Sequence, residues 1–221
     1  MTASRRDTLA SSAAIGGSLA IGIGSLVAAI PYAGTRGEPY SLLNHFVSEL
    51  GQVGVSTLAP LFNVALVIGG IGYAVFMLGL GLAHPTRYRW GFMPFGVIAG
   101  ISGMFVGIFP MNNLPPHALS ASVFFNLGWI SVGLASVSFW RHPDRRFDRR
   151  LSLLGALTVA CFFAFLGILR VDPIIASTGF AVPDERPLVW PVPALEWAVL
   201  IGILAWTLLA GISWRRARAA R

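Results

Sequence analysis

Leu151-Ser-Leu-Leu-Gly-Ala-Leu-Thr-Val-Ala-Cys-Phe-Phe-Ala-Phe-Leu-Gly-Ile-Leu-Arg170 follows directly on Arg141-His-Pro-Asp-Arg-Arg-Phe-Asp-Arg-Arg150. The first stretch has no charge until its closing Arg170, and the second carries five Arg. A helix needs about 20 mostly apolar residues to cross the hydrocarbon core of a bilayer. Residues 151–170 meet that length, with a basic anchor at their start. Five more stretches do the same, at roughly 11–33, 56–82, 91–109, 118–140 and 194–214. The runs are continuous rather than alternating, which favours helices over barrel strands. The expected architecture is an all-α polytopic membrane protein, a six transmembrane helix bundle forming a single domain over residues 1–221.

Composition agrees. Of 221 residues, 55% are hydrophobic and 11% charged, and the mean hydropathy is +0.71. Soluble domains carry about 25% charged residues. That excludes a cytosolic enzyme, a disordered tail and a disulfide scaffold. Cys161 is the lone cysteine and lies inside an apolar run, where it reads as a small packing residue.

The Arg residues set the orientation. Arg5, Arg6, Arg87, Arg89, Arg141, Arg145, Arg146, Arg149, Arg150, Arg215, Arg216, Arg218 and Arg221 fall on one side of a six-span arrangement. Arg36, Arg170 and Arg186 fall on the other, with Glu38, Glu49, Asp172, Asp184, Glu185 and Glu196. Both termini are therefore expected in the cytoplasm of a multi-pass cell-membrane protein. The formal charge of +7 is explained by these flanks, with no nucleic-acid partner. Ser4-Arg5-Arg6 resembles a twin-arginine signal, but the first apolar run is long enough to span and reads as an uncleaved helix. Gly96, Gly100, Gly103 and Gly107 place small residues along one helix stripe, which suits close packing within the chain or a homodimer interface.

Polar residues gather on the extracytoplasmic side. The first outer connection contains Asn44, His45, Ser48 and Glu49 at spacings that one helical turn would bring to a face. The apolar residues between them suggest a short interfacial or re-entrant helix, with Gly51 as its cap. Asn112 and Asn113 turn the next outer connection, and Pro115, Pro116 and His117 follow. Asn63, Asn126, Arg170, Asp172 and Glu196 lie at similar depth, with Trp190 and Trp197 as belt aromatics. His84 and His142, each before a Pro, read as solvated cytoplasmic residues. Polar side chains at membrane depth are costly unless partnered and mark functional sites. The expected pocket lining is His45, Ser48, Glu49, Asn63, Asn112, His117, Asn126 and Glu196.

A sharper expectation concerns metal. His45 and Glu49 have i, i+4 spacing, and His117 would be a third ligand, with Asp172 or Glu196 as a fourth ligand or a base. Three protein ligands plus water would suit a divalent metal such as zinc.

Tyr40-Ser-Leu-Leu-Asn-His-Phe-Val-Ser-Glu-Leu-Gly51, Phe62-Asn63, Gly107-Ile-Phe-Pro-Met-Asn-Asn-Leu-Pro-Pro-His117 and Phe124-Phe125 resemble the DUF998 family of multi-pass membrane proteins. That family is distantly similar to the Frag1/DRAM/Sfk1 group. The resemblance covers about 12–214 and marks Asn44, Ser48, Glu49, Gly51, Pro110 and His117 as matching positions. Its implication is a link to membrane-lipid handling. The leading expectation is a protein that binds a membrane lipid or other amphipathic small molecule in an extracytoplasmic pocket. The alternatives are a metal-dependent intramembrane hydrolase acting on a lipid and a small-molecule transporter. Neither a charged path nor paired broken helices supports the last.

Overall fold

The computed structural model describes residues 3–143, 146–147, 149–178, 183 and 185–219. Arg145, Asp184 and Arg221, used above for orientation, lie outside the described residues. The elements are α1 (Ala3–Ala29), a 3₁₀ helix (Val47–Gly51), α2 (Ala59–Ala83), α3 (Arg89–Ile108), α4 (Leu114–Arg141), α5 (Arg149–Leu169), the short α6 (Pro173–Thr178) and α7 (Pro191–Ala219). Six of these are long and apolar enough to cross a membrane, so the fold is a polytopic membrane helical bundle. Prolines set several of the ends. Pro31 stops α1 just after Ala29, while Pro60, Pro115 and Pro191 begin their helices, where a missing N–H costs nothing.

Packing follows chain order around a closed ring. α1 lies on α2, α2 on α3, α3 on α4, α4 on α5, α5 on α7, and α7 returns to α1. Arg218 of α7 hydrogen-bonds Ser4 and Thr8 of α1, so the chain's two ends share one end of the bundle. We call this the proximal end and the opposite one the distal end.

Glycine makes the α1–α2–α3 side possible. A Cβ on Gly72 would sit 2.7 Å from the Ala13 carbonyl oxygen, and one on Gly100 would sit 2.6 Å from the Ala74 nitrogen. On Gly107 it would meet the Asn63 carbonyl oxygen at 2.5 Å. Gly96 abuts Met77 and Gly103 faces Gly70 and Phe124. The Gly96/Gly100/Gly103/Gly107 stripe is thus consumed inside the chain, chiefly by α2. Close packing within the chain is what these glycines serve.

The α5–α7 side is filled by aromatics instead. Phe76, Phe139, Phe147, Trp206 and Trp214 are fully buried, with Phe139 stacked on Phe147 at 4.4 Å. His84 belongs to this proximal core rather than to solvent. It is 4% exposed, with one ring nitrogen 3.0 Å from the Thr86 hydroxyl and the other 3.1 Å from that of Ser138. Cys161 is half-buried and packs against the same core.

Candidate functional site

The distal end is organised by Glu49. Its side chain is 1% exposed and accepts four hydrogen bonds. Arg186 grips both oxygens, at 2.6 and 3.0 Å, the Phe46 N–H donates at 2.8 Å and the Tyr32 hydroxyl at 3.1 Å. Two forked guanidinium bonds are the strong geometry for a carboxylate. Arg186 also donates to the Asn44 carbonyl, the Asn44 amide donates to the Pro187 carbonyl, and the Trp190 N–H donates to the Leu43 carbonyl. The segment before α7 is thereby strapped across the α1–α2 connection. The charge on Glu49 and desolvation hold the Tyr32 hydroxyl protonated: burial first, then the carboxylate, push its pKa well above the ordinary value.

His45 is packed beside this clamp, 2% exposed, between the rings of Tyr32 and Tyr40. The Asn44 amide is oriented by Pro187, so its oxygen faces His45 Nδ1 at 2.8 Å, and the Ser41 N–H points at the same nitrogen at 3.3 Å. Nε2 is buried and meets no hydrogen-bond partner among the described residues. Burial, helped by the nearby Arg186 cation, lowers the His45 pKa below the ordinary 6.5.

Ser48 looks the other way. The 3₁₀ turn places Glu49 toward Arg186 and Ser48 into the bundle, so the two neighbours serve different structures. Ser48, His117 and Glu196 meet at the junction of two cavities. The larger, about 410 Å³, lies among α4, α5 and the start of α7. Its wall carries Phe125, Phe165, Leu166 and Leu169, with Ser122, Asn126 and Arg170 at exposed positions. The smaller, about 100 Å³, runs up the middle of the ring among apolar side chains and the hydroxyls of Ser18 and Thr207.

The junction groups have spare bonding capacity. His117 Nδ1 lies 2.8 Å from the Phe109 carbonyl, which can only accept, so the proton sits on Nδ1 and Nε2 carries the lone pair. Glu196 accepts the Val47 N–H at 2.7 Å through Oε2, and among the described residues no cation or other donor meets Oε1. Ser48 Oγ makes no hydrogen bond to the described residues. The arrangement can therefore receive a ligand's N–H or O–H groups, with an apolar chamber beyond it.

The remaining expected residues divide. Asn126 lies about 13 Å beyond His117 along α4 and lines the larger cavity, its amide donating to the Ser122 carbonyl at 2.9 Å. Asn112 exchanges two hydrogen bonds with the Val53 backbone, tying the two distal connections together. Asn63 donates to the Gly51 carbonyl at 2.9 Å, and a Cβ on Gly51 would collide with its amide oxygen. Gly51 is thus required for close approach rather than as a left-handed cap, since it does not adopt positive φ. The expected helix over this loop contracts to the single 3₁₀ turn.

The proposed metal triad is not assembled. Among the described residues no three of His, Cys, Asp and Glu gather where an ion could be held. Both Glu49 oxygens are taken by Arg186, and His45 is walled off by tyrosines, whereas His117 faces the cavities. Asp172 is equally committed: Oδ1 caps α6 at the Ile174 and Ile175 N–H groups and Oδ2 accepts from the Trp190 indole at 3.1 Å. Trp190 is therefore a buried, hydrogen-bonded core residue rather than a belt residue.

The family model described as protein of unknown function (DUF998) matches residues 20–213. The chain belongs to the DUF998 family. No curated protein and no solved structure matches it. In this DUF998 chain the residues that carried the resemblance fall into two groups. Asn44, Glu49 and Gly51 hold the distal clamp together, while Ser48 and His117 face the cavity. Pro110 opens the turn in which its carbonyl accepts the Asn113 N–H.

Proposed function

We propose that this integral membrane protein binds a membrane lipid or similar amphipath in the distal cavity, with its headgroup at Ser48, His117 and Glu196. The observation that carries this reading is the combination at one junction of unsatisfied polar groups with an apolar chamber and an opening along α4 and α5. Soluble ligands are usually enclosed on most sides. Here exposed Ser122, Asn126 and Arg170 line a wall at bilayer depth, where an acyl chain can enter sideways while its headgroup stays with polar partners. The Arg distribution supports a cell-membrane orientation with both termini cytoplasmic, so the cavity faces the outer leaflet. The distant resemblance to the Frag1/DRAM/Sfk1 group points toward lipids by analogy alone.

Ala121 lines both cavities and offers a way to fill them. Native mass spectrometry of detergent-purified protein should find a retained lipid. Ala121→Trp should remove it while helical circular dichroism is unchanged. Undiminished lipid occupancy in a folded Ala121→Trp protein would reject the cavity as the binding place.

A further inference from the structure

We infer that the headgroup taken by this site is a zwitterion ending in a primary ammonium beside a phosphodiester, the chemistry of an aminophospholipid; this deepens the lipid-binding reading and rests on it. A carboxyl and a guanidinium line the same cavity of about 410 Å³ without being paired to each other. Glu196 lies inside, facing both cavities, with Oε1 unmet by any described donor. Arg170 stands exposed on the wall at the end of α5, with no ion pair among the described residues.

The groups around Glu196 are mainly acceptors. His117 offers the Nε2 lone pair, Glu196 its free oxygen, and Ser48 a hydroxyl that takes either role. An R–NH₃⁺ group has three donors for them and a charge for the carboxylate. A trimethylated ammonium has none to give. It is recognised by aromatic cages best built from Trp or Tyr, and the aromatic residues lining the larger cavity are Phe46, Phe125 and Phe165. A glycerol headgroup supplies donors but no cation for Glu196. The phosphodiester next to the amine would lie outward, toward the Arg170 guanidinium, which suits phosphate oxygens. The acyl chains would follow the Phe125, Leu166 and Leu169 wall. The order of groups along the cavity thus matches the headgroup: a carboxyl inside to meet the ammonium, a guanidinium at the wall to meet the phosphodiester.

The test is a titration of delipidated full-length protein with dioleoyl phosphatidylethanolamine, phosphatidylcholine and phosphatidylglycerol, read by native mass spectrometry. Phosphatidylethanolamine should bind at least tenfold tighter than the other two. Glu196→Gln, which keeps an acceptor for the Val47 N–H, should erase that preference. Ser48→Ala removes a hydroxyl with no partner among the described residues, so the fold is undisturbed, and should reduce the preference severalfold. Arg170→Gln should weaken all three lipids together and leave their order intact. Equal affinities for the three lipids, with binding still abolished by Ala121→Trp, would overturn the headgroup inference and leave lipid binding standing. No retained lipid in the wild type would overturn both. Displacement by free phosphoethanolamine at equal concentration would reassign the site to a solute and overturn the lipid inference.

Discussion

Glu49 and His45 show how residues four apart in sequence acquire unrelated roles. Removing one partner of a buried ion pair leaves the other charge stranded, so Glu49→Ala should lower stability by about 3–5 kcal/mol. Replacing both Glu49 and Arg186 by Met should recover much of that loss, because no charge is then left buried. Thermal melting of the three variants in detergent checks this. His45 gives a pH dependence with a definite sign. Its folded pKa is depressed, so the unfolded chain takes up the proton first, and stability falls as pH drops below about 6.5. Arg186 opposes protonation, while Glu49 and Glu38 favour it. The melting temperature should decline between pH 7.5 and pH 5, and His45→Gln should flatten that decline; an unchanged slope in the variant would contradict the assignment.

At the scale of elements, the α2–α3 seam depends on the absence of side-chain atoms. Gly100→Ala pushes a methyl into the Ala74 and Gly70 backbones and should destabilise by at least about 1–3 kcal/mol, the usual cost of overpacking. Gly16→Ala, with nothing within 4 Å of the new atom, should be neutral or mildly stabilising. Unfolding measurements in a mixed micelle distinguish the two. The spans were legible because lipid forces long apolar runs with charged ends, and the helix ends shifted only where Pro or polar termini extended or stopped a turn. The distal clamp was not legible. Arg186 reaches Glu49 across 137 positions, and nothing local in an acidic, Pro-flanked stretch announces that partner. The only hint is that Arg186 is one of just three Arg among the acids on that side. Helical periodicity put Ser48 and Glu49 on one face, whereas a tighter 3₁₀ turn sends them apart. Ser48, His117 and Glu196 could be picked as polar residues at one depth, and the structure brings these three to a common cavity. His84 reads as solvated from the sequence because nothing in a His-Pro loop announces that Ser138 and Phe139 of α4 fold over it.

For the whole molecule, a ring of six helices closes through α1 and α7 and leaves a cavity within it. If both termini are cytoplasmic, His142→Cys in a Cys161→Ser background should react with an impermeant maleimide only from the cytoplasmic face of sealed vesicles. Glu185→Cys should react only from the other face. The central claim, that a lipid occupies the cavity among α4, α5 and α7, is tested most directly by photocrosslinking with a phospholipid carrying a diazirine on its acyl chain, followed by peptide mapping. Adducts should concentrate on cavity residues such as Ala121, Phe125 and Leu166. Adducts spread evenly over outward residues such as Ile71, Ile98 and Leu157, with none enriched in the cavity, would contradict it.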